Sequence, residues 1–532
     1  MNIAERLVET AKQMPNALAI VEPSGKQVTF AELNRDSDAI AAALVRQGVT
    51  PGTKLVLMVR YGIDFISLVF GLFKAGAVLI LIDPGMGFRQ MIRCLTEVEP
   101  DGFVAVSPVQ AVRVVFRRHF PKARQNLTVG RRWCWGGLSL QKIRKEQSIS
   151  PVLPFKPISK NDDDLAAIIF TSGSTGPAKG VAFTHLIFNT QTTEIQKRLD
   201  IQPGETDLAC FPFFGLFDAA MGVTTIIPEM NPMKPATANP ANIVRAANHR
   251  RITQSFGSPA LWRRVADYCE QTGKRLETLK RVVIAGAPVP ATLLERLKKL
   301  LPSDGDIFTP YGATEALPVA VISATEVLRE TKAKTDQGAG ICVGSRFPTI
   351  RWAVIAITDA PLKRFEDATV LPSGQVGELA VSGPQVTPRY VTNPEANEKA
   401  KMIDASGTIW HRMGDVGYLD AEDRFWFCGR KSHRVETKSG TMFTIPCEAV
   451  FNRHPKVFRS ALAQVAGEPV IFIEPLPEHF PKTQAEIELF QEELLERGQA
   501  NDITQAIQTV RFKKRFPVDV RHNAKINREL LK

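Results

Sequence analysis

The run Thr171-Ser172-Gly173-Ser174-Thr175-Gly176-Pro177-Ala178-Lys179-Gly180 directly follows an apolar stretch, Leu165–Phe170, that reads as a buried strand. Small hydroxyl residues and glycines let backbone N–H groups crowd around phosphate oxygens. The hydroxyls add donors, and Lys179 can neutralise a leaving pyrophosphate. The spacing is not GxxxxGK(S/T), so a Walker loop is not indicated. The competing reading is a flexible Ser/Gly linker, and the strand in front of it disfavours that.

A phosphate loop works only if buried elements hold it. Strand-like runs occur at Lys54–Met58, Ala77–Ile82, Gly102–Val106, Arg281–Ala285 and Arg351–Ile357, alternating with helical patterns such as the one from Ala31 to Gly48. This predicts α/β architecture with largely buried sheets over residues 1–430. After Gly429-Arg430 the chain becomes shorter in its patterns and more charged, so residues 431–532 are expected to form a small second domain. The apolar stretch Phe65–Ile82 is broken by Lys74-Ala75-Gly76 and reads as a helix feeding a strand, since neither half approaches the ~20 residues of a membrane span.

With 532 residues, 44% of them hydrophobic and 23% charged, the chain is expected to be a packed protein of two or three domains. Its seven cysteines are scattered, with no CxxC or CxxH pair, which disfavours zinc and disulfides and suggests a reducing cytoplasm. The net charge of +12 is partly local: between Asp101 and Glu146 there is no acidic residue but there are ten Lys and Arg, from Arg113 to Lys145. The plainer reading is a solvated face. The sharper one is peripheral contact of the 113–145 region with an anionic membrane or a partner enzyme. No zinc-finger, RNP or basic-zipper signature accompanies the charge, so nucleic acid is not an expected partner.

TSGSTGPAKG resembles the signature loop of the adenylate-forming superfamily, and further motifs follow in that family's order: LFKAGAVLILIDP (72–84), Ala285-Gly286-Ala287-Pro288, Tyr311-Gly312-Ala313-Thr314-Glu315, Gly377-Glu378, Arg412-Met413-Gly414-Asp415 and Gly429-Arg430. The resemblance implies a large domain of α/β subdomains with mixed sheets and a distorted β-barrel region, plus a small mobile α+β domain. It also implies ATP and Mg²⁺ as cofactors. Carried over residue by residue, Thr171 to Gly176 and Lys179 would hold phosphates, and Gly286, Ala287, Pro288 and Tyr311 with Gly312 would flank adenine. Thr314 would donate to the α-phosphate, and Glu315 would ligate the metal as a hard oxygen donor. Asp415 would accept from the ribose hydroxyls, and Arg430 would contact ribose or phosphate. Lys525, in FPVDVRHNAKINREL (516–530), matches the lysine that enters from the small domain and bridges carboxylate and phosphate.

The chain departs from common acyl-CoA ligases at several points. Gly215 stands where a histidine or aromatic is usual, within Phe211-Pro-Phe213-Phe214-Gly215-Leu-Phe217, a segment expected to line a pocket for alkyl chains. Ser432 occupies the hinge, Ala524 precedes the lysine, and the 430–440 segment is altered. These departures weaken coenzyme A as acceptor. The strings LIDPGMG, CGRKSHRVET and FPVDVRHNAKINREL look like the bacterial olefin-biosynthesis branch, the β-lactone synthetases. That likeness implies adenylation of a long-chain 2-alkyl-3-hydroxyalkanoic acid, attack of its own hydroxyl on the activated carbonyl, and other olefin-pathway enzymes as partners. A fatty acyl-CoA or acyl-AMP ligase is the first alternative. An inert ATP-binding scaffold of a lipid-modifying complex is the second.

Overall fold

The computed structural model describes residues 1–150, 153–171, 178–211, 214–438, 440–518 and 526–531, with backbone alone at 214. Short, continuous Val/Ile/Leu runs build a seven-stranded sheet in the order Leu138–Ser139, Leu127–Val129, Gly102–Val106, Lys54–Met58, Val78–Leu81, Leu165–Phe170, Gly180–Thr184. All neighbours are parallel except the last pair. Unbroken hydrophobicity is what a parallel sheet covered on both faces requires. The 65–82 stretch divides as expected, into helix Ile63–Lys74 and strand Val78–Leu81, turning through Gly76 at φ +72°. Lys74 is wholly buried, and its charge is met by Asp38 at 2.6 Å. Among the described residues no helix is long and apolar enough to cross a membrane.

A second sheet of fourteen strands has two halves. One is parallel and runs through Leu18–Val21, Thr224–Ile226, Thr206–Ala209, Gln254–Gly257, Arg281–Ile284 and Asp306–Ala313, with Gln27–Thr29 added antiparallel at its edge. From Ala316–Ser323 onward the neighbours are antiparallel, through Ile341–Arg346, Arg424–Arg430, Ile409–Leu419, Gly377–Ser382 and Arg351–Ile355. This antiparallel half takes the place of the expected barrel region, and its described pairings form an open path. The helix expected from Ala31 to Gly48 spans Phe30–Arg46, its start fixed by a capping box between Thr29 and Glu32.

Residues past 430 form a two-stranded ribbon and a three-stranded sheet (Val457–Val465, Glu468–Pro475, Thr509–Phe512) with helices Thr444–Asn452 and Gln484–Gln499. Phe451, Leu462, Ile471 and Leu494 lie in an apolar core of their own. Ties back to the larger part of the chain include ion pairs, Lys431 to Glu378 at 3.1 Å and Arg434 to Asp359 at 2.7 Å, together with close packing of Thr444 against Gly429 and of Ile503 against Gly338. In the basic segment, Arg144 is tied to Asp36 and Asp64 and Lys122 to Glu99, while Arg117, Arg118, Arg131 and Arg132 are exposed.

Candidate active site

In open α/β sheets, ligands bind beyond the carboxyl ends of the parallel strands. Here those ends from both sheets converge. The small sheet contributes Tyr61 after Met58 and Thr171 after Phe170. The large one contributes Cys210 after Ala209, Gly215, Gly286–Pro288 and the Thr314-Glu315 turn. Two contacts stitch the edges together: Glu22 Oε1 accepts from the Ile63 N–H at 2.8 Å, and a Cβ built on Gly215 would collide with the Tyr61 hydroxyl.

Thr314 and Glu315 are the two residues between the paired positions Ala313 and Ala316, so they occupy the tip of a tight antiparallel hairpin. The Glu315 carbonyl accepts from the Thr387 N–H (2.8 Å) and hydroxyl (2.9 Å), and its carboxylate accepts from the Tyr390 hydroxyl at 2.7 Å. Tyr390 bridges antiparallel to Val181, just beyond the phosphate loop. Lys179 Nζ lies 4.8 Å from its ring centre and Lys401 Nζ lies 5.9 Å from it. The two ends of the phosphate loop are clamped: Thr171 N–H donates to Lys179 O (3.0 Å), and Lys179 N–H donates to Thr171 Oγ1 (3.2 Å).

Burial pulls the Lys401 ammonium down to about 7, against the opposing pull of Glu315. His411 is buried as well and held well below its usual range, first by desolvation and then by the charges of Lys401, Lys179 and Arg430. Lys179, Lys401 and Arg430 thus gather around Glu315, basic groups placed where an entering anion would meet them.

Asp415 and Arg430 are cross-strand partners in the antiparallel half. Arg430 donates to Asp415 Oδ1 and the Tyr311 hydroxyl donates to Oδ2, each at 2.6 Å. Arg430 is raised above its ordinary value by the Asp415 charge, while burial and that same charge raise Tyr311. Gly286, at φ +96°, opens an exposed turn after Ile284, on the strand next to the one carrying Tyr311 and Gly312.

The geometry thus brings Thr171, Lys179, Glu315, Tyr311, Asp415 and Arg430 to one crevice, with Gly286–Pro288 at its rim. Ser172, Gly173, Ser174, Thr175, Gly176, Phe213 and Lys525 lie outside the described residues, as does the side chain of Phe214. Gly215 is buried against Tyr61, and Phe217 packs between two core clusters, so Phe217 serves the core as well as the segment. Sequence reasoning missed Tyr390, Thr387 and Lys401, which hold Glu315 and its surroundings. The one available signal was the tyrosine between two proline-bearing turns, Thr387-Pro-Arg-Tyr390 and Asn393-Pro394.

Residues 7–391 match the model of a protein family described as AMP-binding enzyme. The chain belongs to that family. It is 42% identical to the olefin β-lactone synthetase of Xanthomonas campestris, the alignment covering 100% of this chain and 96% of that one. It is 41% identical to the synthetase of the same description from Stenotrophomonas maltophilia, over 100% and 97%. Among solved structures, an anthranilate CoA ligase in complex with anthranoyl-AMP superposes with a TM-score of 0.79 at 18% identity, over 100% and 96% of the two chains, which speaks for the shared fold.

Proposed function

We infer that this enzyme activates a long-chain 2-alkyl-3-hydroxyalkanoic acid as its acyl-adenylate and then closes it to a β-lactone, releasing pyrophosphate and AMP. The observation that carries this is full-length similarity above 40% identity to two olefin β-lactone synthetases, coupled with a crevice whose cations surround a hairpin carboxylate. Lys179 and the loop it ends would bind and orient the triphosphate, Asp415 would accept from ribose hydroxyls, and Arg430 would hold Asp415 in place. Mg²⁺ takes one or two carboxylates and completes its shell with water and substrate phosphates. Glu315 would hold that ion, which supplies charge neutralisation to the pyrophosphate when bound.

Lys525, on the 431–532 unit, would approach once that unit closes over the crevice, and Lys431 and Arg434 mark the hinge side. Ring closure needs no thiol, because an attached hydroxyl has a high effective molarity. Incubation with ATP, Mg²⁺ and a long-chain 2-alkyl-3-hydroxy acid should give AMP and a product lighter than the acid by one water, with or without coenzyme A. A thioester formed only with coenzyme A would overturn the lactone assignment.

The basic segment supports peripheral contact with an anionic lipid surface. Phe88 and Phe116 pack edge-to-face at 5.3 Å beside exposed Val115, with Arg89, Arg117 and Arg118 around them. Flotation with phosphatidylglycerol vesicles, lost in Val115→Asp, is the expected outcome, and equal binding to neutral vesicles would argue against it.

A further inference from the structure

Tyr61, Asp207, Asp218 and Gln254 form a second polar cluster that nucleotide binding does not use. Asp207 lies in strand Thr206–Ala209 with Thr225 and Gln254 as its register partners, so all three side chains leave the same face of the sheet. Asp218 reaches that face from helix Phe214–Met221 and accepts from Thr225 Oγ1 at 3.1 Å. Asp207 and Asp218 are 0% exposed and Gln254 is 2% exposed.

Among the described residues, both oxygens of Asp207, Oδ1 of Asp218, both polar atoms of Gln254 and the Tyr61 hydroxyl have no donor or acceptor partner apart from the opposed carboxyl. Two carboxylates are acceptors only, so they satisfy one another by sharing a proton. Burial raises both acids, and the charge of Asp218 raises Asp207 further. Among the described residues no lysine, arginine or histidine acts on either one.

Ring closure must dispose of a proton. The carboxylates of the nucleotide wall are committed, Asp415 to Arg430 and Tyr311, and Glu315 to Tyr390. The two acids lie close to Gly215, and Tyr61, its hydroxyl buried with no hydrogen-bond partner among the described residues, sits in the field of both. A side chain at 215 would occupy the position of its hydroxyl. We propose that Tyr61 takes the proton of the substrate's 3-hydroxyl and passes its own to the Asp218–Asp207 pair. This rests on the lactone reading above.

In the step, the hydroxyl O–H bond breaks as its oxygen bonds to the carbonyl carbon, and the carbon–phosphate oxygen bond breaks with its electron pair leaving on AMP. The Tyr61 oxygen receives the substrate proton while its own moves to Asp218. The pair goes from one proton to two and returns the extra one to solvent after release. Cys210, the remaining titratable group facing the cluster, is pushed up to about 12 by burial and stays a thiol.

The test separates the two half-reactions in the full-length enzyme, using acid-dependent ATP–pyrophosphate exchange for adenylation and mass-resolved lactone for closure. In Tyr61→Phe and Asp218→Asn, closure should fall about 100-fold or more, the usual worth of a proton-transfer group, with acyl-AMP accumulating and exchange much less affected. Wild-type closure should accelerate with rising pH as the doubly protonated pair gives up its second proton and becomes the one-proton acceptor, and Asp218→Asn should flatten that profile. Closure at the wild-type rate in Tyr61→Phe overturns the proposal while leaving the lactone reading intact. If Asp218→Asn does not fold, Tyr61→Phe, which keeps the ring in place, decides alone. Exchange without any lactone in the wild type overturns the parent reading and this one with it.

Discussion

On the nucleotide wall, Asp415 is held by Arg430 and Tyr311, Glu315 by the Tyr390 hydroxyl, and Glu378 by Arg412 and Lys431, whereas Asp207 and Asp218 face each other with one neutral donor, Thr225 to Asp218, and no cation among the described residues. A buried carboxylate kept beside a cation or donor stays ionised through the reaction, and one left without a counter-charge is poised to change its proton count. The contrast assigns electrostatics to one wall and proton transfer to the other. It also explains why the nucleotide wall can be so cationic without collapsing its own acids. Each anion is anchored within a hydrogen bond of a partner.

The hardest break on the nucleotide side is Lys525→Ala. Losing the cation proposed to meet carboxylate and phosphate together should lower acid-dependent pyrophosphate release by about 1,000-fold, while calorimetric ATP binding persists. Undiminished release would remove Lys525 from the reaction. Next is Asp415→Ala, which strips the ribose acceptor and leaves Arg430 and Tyr311 without their shared partner. Hydrogen bonds to charged groups are worth about 1.5–3 kcal/mol, so the Kd for ATP should rise about 10- to 100-fold. An unchanged Kd would mean that the Asp415 carboxylate only braces the two strands. Tyr390→Phe is milder. It frees the Glu315 carboxylate from one neutral donor, and the Mg²⁺ concentration giving half-maximal exchange should shift by about fivefold, in line with a neutral hydrogen bond of about 1 kcal/mol. No shift would separate Tyr390 from metal binding.

The parallel half of the molecule was legible because its strands are continuous apolar runs. Lys54–Met58, Gly102–Val106 and Leu165–Phe170 stand at the expected residues, and the strand expected at Ala77–Ile82, like Arg351–Ile357 in the antiparallel half, is two residues shorter. The 171–179 run, Glu315 and Asp415 can be singled out as candidates from the sequence because tight turns and phosphate chemistry restrict residue types locally. Tyr390 and Lys401 were not, since their meaning arises only when a strand bridge sets Tyr390 against Val181, more than 200 residues away. Gly215 could be seen as a missing side chain, but not what fills the space, because Tyr61 arrives from the other sheet. Asp207 was hidden more deeply: Thr-Asp-Leu-Ala alternates as a half-solvated strand does, yet Asp207 is wholly buried.

His185 serves as a control for the comparison, a buried titratable group on neither wall. Its Nδ1 accepts from the Ile3 N–H at 3.3 Å and its ring meets Phe73 edge-on. Burial, then the charges of Lys160 and the N-terminus, pull the imidazole from 6.5 down to about 4. The unfolded chain therefore takes up this proton first as the solution is acidified. The stability tied to neutral His185 is complete above about pH 6.5 and drains away as the pH falls toward 4, by about 3 kcal/mol in all. The Asp207–Asp218 pair has the opposite sign, because its raised values favour the folded state at low pH and that advantage fades as the pH rises. Denaturant unfolding of the wild type and His185→Gln from pH 4 to 8 should give curves that run together at the alkaline end and separate on acidification, the variant losing less. Glutamine keeps an acceptor for Ile3 but no proton to gain, so parallel curves would mean that the imidazole already carries its charge inside the fold.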